Sequence, residues 1–258
     1  MRYQSVAAAL LVAAISVLVN SNPSSAGDRR CDLNGDGFED LAVGAPGLDR
    51  NGRKSAGEVE VFLGSSTGLS RLSSFVLMPG IGGLPGQAKH DAEFGAAIAC
   101  GDISGDGYAD LIVGAPGERI GDELAAGAVY VIYGATAPTA AGSMRISQRA
   151  PNIPGSPSTN AAFGRAVAVG DVIGDGRADV AIGVPGQASV VVLPGSSNGL
   201  GDALATRYVA GHLGELGASL GIGDIDGDGA DDLVAGAPDT QIGNRRGAGT
   251  IALWRHRD

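Results

Sequence analysis

One pattern is written four times in this chain, and it constrains everything around it. The clearest copy runs from Asp224 to Pro238, and the others begin at Asp32, Asp102 and Asp171. Each places side-chain oxygens at alternate positions of a short loop and a glycine at the sixth (Gly37, Gly107, Gly176, Gly229). Each then runs into an apolar segment closed by Gly-Ala-Pro or Gly-Val-Pro. The apolar segment is short, leucine-rich and β-branched, so the loop feeds a strand and not a helix. The copies recur at intervals of roughly 70, 70 and 50 residues, the size of a propeller blade or a stacked repeat unit.

The residue types in the loop specify its chemistry. Alternate Asp or Asn side chains fold their oxygens around one point, and calcium takes six to eight hard oxygen ligands at about 2.3–2.6 Å. The glycine permits the sharp turn, the carbonyl of position seven turns inward, and an aspartate at position nine closes the set. The expected ligands are therefore Asp32, Asn34, Asp36, the Phe38 carbonyl and Asp40 in the first loop, and Asp102, Ser104, Asp106, Tyr108 and Asp110 in the second. The third offers Asp171, Asp175, Arg177 and Asp179, and the fourth Asp224, Asp226, Asp228, Ala230 and Asp232. Up to four calcium ions are expected. The third site is the weakest, because Ile173 stands at position three and supplies no oxygen. A single such match reads equally as an Asx-rich surface turn, but four at a fixed place in a repeat favour a metal loop. More than half of the 28 acidic residues lie in these loops, so the formal charge of −10 is a ligand signature and not an acidic tail. That charge also speaks against nucleic acid as a partner.

Around the loops the same strands recur. Phe94-Gly95, Phe163-Gly164 and Leu216-Gly217 stand eight residues ahead of their loops and lead into a small-residue strand one: Ala97–Ala99, Ala166–Ala168 and Ser219–Gly221. Strand two follows the loop at Leu41–Val43, Leu111–Val113, Val180–Ile182 and Leu233–Ala235. Strand three is read at Val59–Leu63, Val129–Tyr133, Val190–Leu193 and Thr250–Trp254. A weaker strand four lies at Phe75–Met78, Met144–Ser147 and Tyr208–Ala210. With 44 glycines and only 4% aromatic residues, the chain is rich in turns and close backbone approaches. The fold class is all-β: a β-propeller of four blades, each of about four antiparallel strands. The blades are placed at about 27–80, 92–150, 161–211 and 214–258.

Phe-Gly, then the Asp-rich loop, then Gly-Ala-Pro resembles the FG-GAP repeat of the integrin α-subunit N-terminal propeller and its bacterial secreted relatives. The resemblance spans nearly all of the chain after residue 26. It implies calcium in the loop between strands one and two, and adhesive or ligand-binding work on the opposite face. This chain departs from the family in showing four blades where seven are typical, and its first copy has no Phe-Gly.

In an up-and-down blade the metal loops share one face, while the connections between strands two and three and between successive blades share the other. Long connections at 47–56, 117–126 and 239–248 gather there, each placing an Ala-Gly pair at a fixed distance after its proline. In the third blade the equivalent loop has shrunk to Gly186-Gln187. Long loops on a rigid scaffold are where binding is usually carried. The candidates are Asp49, Arg50, Arg53, Lys54, Arg119, Asp122, Glu123, Arg245 and Arg246, and the expected partner is a protein or a glycan. The bland alternative for each is a solvated surface. A hydrolase or lyase using this face is a competing reading, and a structural fragment that assembles with another chain is a third. Gly217-Ala218-Ser219-Leu220-Gly221 matches a nucleophile elbow, but it aligns with strand one of the other blades. His90, His212 and His256 share no motif.

Residues 1–26 read as a secretory signal peptide cleaved after Ala26, and residues 27–258 as the propeller domain. The apolar run from Val6 to Val19 is short for a membrane anchor, the alternative reading. No membrane span is expected after cleavage, and the protein is expected outside the cell. Cys31 and Cys100, each just ahead of a loop, form a candidate disulfide in that compartment. After cleavage too few residues precede the first loop for a full strand one. The blades therefore either close with a ragged seam or form an open sector. The sector is the favoured expectation, and it should self-associate or pair with another repeat chain.

Overall fold

The computed structural model describes residues 16–17, 31–200, 204–210 and 213–256. The segment read as a signal peptide lies outside these residues apart from Ser16 and Val17, and His212 lies outside them too. The described chain forms four antiparallel sheets in chain order. The first holds β1 (Ser16–Val17), β2 (Leu41–Gly44), β3 (Val59–Phe62) and β4 (Ser74–Leu77). The second holds β5 (Ala97–Gly101), β6 (Asp110–Ala115), β7 (Ala128–Ile132) and β8 (Met144–Ile146). The third comprises β9 (Val167–Gly170), β10 (Asp179–Val184), β11 (Ser189–Leu193) and β12 (Thr206–Val209). The fourth has three strands, β13 (Ser219–Gly223), β14 (Asp232–Ala237) and β15 (Thr250–Trp254). Each sheet is a meander of neighbouring strands, and the only helical segments among the described residues are two short 3₁₀ turns. No helix among the described residues is long and apolar enough to cross a membrane.

The first sheet differs from the reading in one respect. Its inner strand is supplied by Ser16 and Val17, which pair with Gly44 and Val43 in the place that β5, β9 and β13 take in the other sheets.

The inner strands adjoin one another in the order β1, β5, β9, β13, as blades do around an axis. Small residues on them (Ala97, Ala99, Gly101, Ala168, Gly170, Gly221) let the inner edges converge. Between successive sheets lie three apolar cores. The first buries Val59, Val61 and Leu77 against Phe94, Leu111 and Tyr130, whose ring meets that of Phe94 edge-on at 5.1 Å. The second joins Ile112, Val129 and Val131 to Phe163, Val180 and Ile182, and the third joins Val190 and Val192 to Leu216, Leu233 and Ala235. Burial follows from this layering. Strands β6, β7, β10 and β11 are buried on both faces, whereas β2, β3 and β15 alternate, because among the described residues the first and fourth sheets have a neighbour on one side only. No closure between the fourth sheet and the first is found among the described residues.

The Phe-Gly and Gly-Ala-Pro segments are the fasteners between blades. A Cβ placed on Gly44, Gly114 or Gly183, the glycines of the Gly-Ala-Pro or Gly-Val-Pro segments, would come within 2.1, 2.1 and 2.0 Å of the carbonyl oxygens of Gly95, Gly164 and Gly217 in the next blade. Only glycine allows the two backbones to approach this closely. Cys31 and Cys100 are disulfide-bonded, with Cα atoms 5.3 Å apart, and tie the first loop to β5 across the first core. Closing a loop across a separation of 69 residues removes denatured-state entropy equivalent to about 4 kcal/mol.

Candidate functional site

The four Asp-rich loops share one hydrogen-bond skeleton, and it begins with position one. Both carboxylate oxygens of Asp32, Asp102, Asp171 and Asp224 turn back to accept from loop N–H groups. Gly37, Gly107, Gly176 and Gly229 donate to them at 2.9, 2.9, 2.8 and 3.1 Å. Position five accepts from the N–H of position seven at 2.9–3.0 Å: Asp36 from Phe38, Asp106 from Tyr108, Asp175 from Arg177 and Asp228 from Ala230. This winding brings positions one, three and five onto one concave side. In the fourth loop a carboxylate oxygen from each of Asp224, Asp226 and Asp228 lies within 4.8 Å of the others, all three residues being exposed. In the first loop Asn34 Nδ2 donates to Asp36 at 3.0 Å, and in the second Ser104 Oγ lies 3.5 Å from Asp102. In the third, Ile173 leaves position three without an oxygen.

Position nine stands apart from this cluster. Asp40, Asp110, Asp179 and Asp232 are buried at the base of their loops. One oxygen of each accepts from the second or third residue of its own loop (Leu33, Ile103 and Ser104, Ile173, Ile225). The other accepts from a residue just beyond strand three: Gly64, Gly134, Gly195 and His256. This carboxylate clamps the loop to its blade.

Burial pushes the Asp110 carboxyl up from its ordinary 3.8 to about 7. The N–H of Gly134 pulls it back, and the charge of Asp106 adds to the rise. Asp179 rises to about 6 through burial, against the N–H groups of Ile173 and Gly195, with repulsion from Asp175 and Asp171. Asp40 is raised by burial too. A carboxyl whose pKa is higher folded than unfolded stabilises the folded chain below about pH 4 and loses that contribution as pH rises through 6 to 7. The metal-free protein is therefore expected to melt higher near pH 5 than near pH 8, by the equivalent of a few kcal/mol. Scanning calorimetry in EDTA across that range checks it, and a flat or rising profile would contradict it.

Neighbouring loops pack side by side. The Tyr108 ring rests on Gly35 of the first loop, the Arg177 guanidinium on Gly105 of the second, and the His256 ring on Gly174 of the third. Asp231 accepts from the N–H of Asp171 at 2.9 Å, linking the third and fourth loops. Basic side chains also stand near the fourth loop: Arg255 is 3.8 Å from Asp226, and His256 Nδ1 is 4.0 Å from Asp228.

On the opposite face the charged candidates do not form one cluster. Arg50 is tied to Glu58 by two bonds of 2.5 and 2.6 Å, Asp49 accepts from Ser55, and Arg119 bonds the Gly121 carbonyl and Asp122. Glu123 accepts from Thr159 at 2.6 Å, and the Lys54 N–H donates to His90. Arg53, Arg245 and Arg246 are exposed. A cleft of about 400 Å³ near the axis is lined by Pro46, Gly47, Ser55, Glu93, Ala96, Arg165 and Ala218, with one carboxylate and one guanidinium. Ser219 opens β13, with no strand-to-helix turn around it.

One group escaped sequence reasoning. Glu118, 1% exposed, accepts from Lys89 Nζ at 2.7 Å, Arg145 at 2.7 and 3.0 Å, and the Tyr130 hydroxyl at 2.8 Å. The signal was an acid at a position where the other long loops have Leu48 and Thr240.

Four meander sheets with facing apolar cores, Asp-rich loops on one side and long connections on the other, define a propeller-type repeat protein. The FG-GAP repeat profile matches residues 31–62, 94–132, 163–202 and 216–254. The chain belongs to the FG-GAP repeat family. It is similar to integrin alpha-PS5 of Drosophila melanogaster, 34% identical over 63% of this chain and 16% of that protein. It is also similar to the phosphatidylinositol-glycan-specific phospholipase D of Rattus norvegicus, 37% identical over 60% of this chain and 17% of that protein. The chain thus matches about a sixth of the length of these relatives. Among solved structures, the Bacillus licheniformis rhamnogalacturonan lyase PL11 superposes on 85% of this chain and 39% of its own. The identity is 15% and the TM-score 0.42, a likeness from which no activity is drawn.

Proposed function

We propose that this chain is an exported, calcium-stabilised propeller module that binds a protein or glycan through its long-loop face. The observation that carries the metal half of the reading is the convergence of Asp224, Asp226 and Asp228 on one point, in a skeleton that three other loops repeat. The donor set is hard oxygen throughout, which suits calcium, and like charges held this close repel one another until a cation joins them. Asp32, Asn34 and Asp36, with Asp102, Ser104 and Asp106, would hold ions in the same way, and the third loop would do so least well. The adhesive half rests on kinship with integrin-like repeats and on the long connections gathered opposite the loops.

Calorimetric titration of the chelator-treated chain with calcium tests the metal. The fourth loop should be tightest, and Ile173→Asp should raise the affinity or the stoichiometry by adding the missing side-chain oxygen at position three of the third loop. No heat of binding would reject the reading, and an unchanged variant would reject the ranking. Arrays of glycans and surface proteins, probed with the chain in calcium and in EDTA, test the adhesive half. Specific retention lost in EDTA supports it, and absence of any retained ligand rejects it.

A further inference from the structure

Glu118 stands in the long loop between β6 and β7, and a carboxylate buried as deeply as this one must be paired. Lys89 Nζ and Arg145 Nη2 both bond the same oxygen, Oε1, at 2.7 Å, so an ammonium and a guanidinium are held side by side. The Tyr130 hydroxyl donates to the other oxygen at 2.8 Å. One carboxylate thus fixes two cations, and the network keeps a net positive charge. Gly86, exposed in the connection that precedes this blade, lies beside the Arg145 stem and the Tyr130 hydroxyl and has no side chain to cover them.

Two more arginines border the same loop. Lys89 Nζ also donates to the Arg119 carbonyl at 2.9 Å, and the Arg119 guanidinium curls back to the Gly121 carbonyl at 2.9 Å. The Arg149 guanidinium lies against Gly121, 3.3 Å from where a Cβ would stand. An arginine offers five N–H donors and a lysine three. Among the described residues no acceptor is found for the Nη1 groups of Arg119 and Arg145, or for any guanidinium N–H of Arg149. The acids of the same segments do not cancel these charges. Glu93 lines the axial cleft, Glu123 accepts from Thr159, and Asp91 is exposed two residues beyond Lys89. Asp122, fully exposed, reaches Arg119 only at 3.4 Å, a contact worth little in water. The other long loops lack this device: Leu48 and Thr240 take the place of Glu118, and Arg50 is held by Glu58.

We infer that this patch of the second blade is an oxyanion site for an acidic glycan, whose carboxylate or sulfate groups the guanidinium forks of Arg119, Arg145 and Arg149 hold beside the Lys89 ammonium. The inference rests on the reading that the long-loop face binds a ligand, and it names the ligand's class. Planar forks match carboxylate and sulfate oxygens in pairs. Lys89, Arg119 and Arg145 are already pinned by protein oxygens, so binding costs them little rotamer freedom. The chain as a whole carries −10, so an anionic ligand is repelled from most of its surface and directed to this patch. A glycan suits the surface better than an acidic protein does, because protein interfaces centre on aromatic or aliphatic anchors. Among the described residues, Ile81 and Leu124 are the large apolar side chains exposed on the connections at 79–93, 117–126 and 147–162.

The test titrates the full chain, in calcium, with a short hyaluronan oligosaccharide, its methyl ester, a chondroitin sulfate oligosaccharide and oligoglutamate. Saturable binding of an acidic oligosaccharide is expected, weakened by added salt and lost in the methyl ester. The tighter of hyaluronan and chondroitin sulfate identifies carboxylate or sulfate as the group held. Arg119→Gln and Arg149→Gln, both at exposed side chains, should each weaken binding about tenfold, while Arg53→Gln, exposed elsewhere on the same face, should leave it unchanged. Equal affinity for the methyl ester, unchanged binding by the Arg149 variant, or an equal loss in the Arg53 variant would overturn the inference. Tighter binding of oligoglutamate would overturn it in favour of an acidic protein. Silence from both acidic oligosaccharides would overturn it too, and a neutral glycan or a protein retained on the arrays would then leave the adhesive reading standing.

Discussion

Removing calcium is expected to lower the melting temperature of this protein by on the order of 15 °C or more. A ligand that binds only the folded state adds RT ln(1 + [L]/Kd), so a site at a hundred times its Kd contributes about 2.7 kcal/mol, and three such sites about 8 kcal/mol. In a chain of this size each kcal/mol moves the midpoint by roughly 2–4 °C. The direction follows from electrostatics within the loops. Asp224, Asp226 and Asp228 hold like charges within 4.8 Å, and the buried carboxyls of Asp110 and Asp179 resist ionisation without a cation nearby. Bound calcium would reverse both effects, so the fall in stability expected between pH 5 and pH 8 in EDTA should flatten or invert in millimolar calcium. Magnesium should substitute poorly, because it demands a tighter octahedron than these loops offer. Thermal melts in calcium, magnesium and EDTA at the two pH values give the answer. Coincident melts would remove the metal from the account of the fold.

Much of the architecture was legible because it is local and repeated. Phe-Gly, the Asp-rich loop and Gly-Ala-Pro each fix a turn or a close approach within a few residues, and fourfold recurrence raised the signal above composition. What was not legible depends on contacts between distant residues. Asp40 and Asp110, read as the closing ligands of their loops, each also accept from the N–H of a glycine 24 residues further on. That pairing exists only once strand three has returned beneath the loop. Glu118 likewise meets Lys89 and Arg145 from positions 29 and 27 residues away, and spacing alone does not announce a buried network of that kind. The charged residues of the long loops were read as sharing one face. Their pairing, such as Arg50 with Glu58, depends on side-chain reach that periodicity does not encode. The pairing of Ser16–Val17 with β2 was invisible for another reason: it is two residues long and carries no motif.

The second large effect concerns glycines that composition alone would treat as alike. Gly114→Ala is expected to destabilise the chain by more than roughly 5 kcal/mol, while Gly236→Ala, at the same place in the last repeat, should change stability by less than about 1 kcal/mol. Neither position has the left-handed backbone that penalises a side chain, so the contrast isolates the junction. At Gly114 the added carbon would lie 2.1 Å from the Gly164 carbonyl oxygen, part of a backbone whose Gly164 N–H donates to the Gly183 carbonyl and which cannot swing aside. The blades would have to part by about an ångström, opening the core in which Val129, Phe163 and Ile182 are sealed, and interiors this closely packed do not give way cheaply. At Gly236 the nearest atom is the Ser219 hydroxyl oxygen at 2.3 Å, the end of an exposed side chain that can rotate away. Chemical denaturation of the two variants side by side decides it. Equal losses would mean that Gly-Ala-Pro glycines serve the turn within each blade. A large loss at Gly114 with near neutrality at Gly236 would establish that they exist to seat the Phe-Gly segment of the next blade.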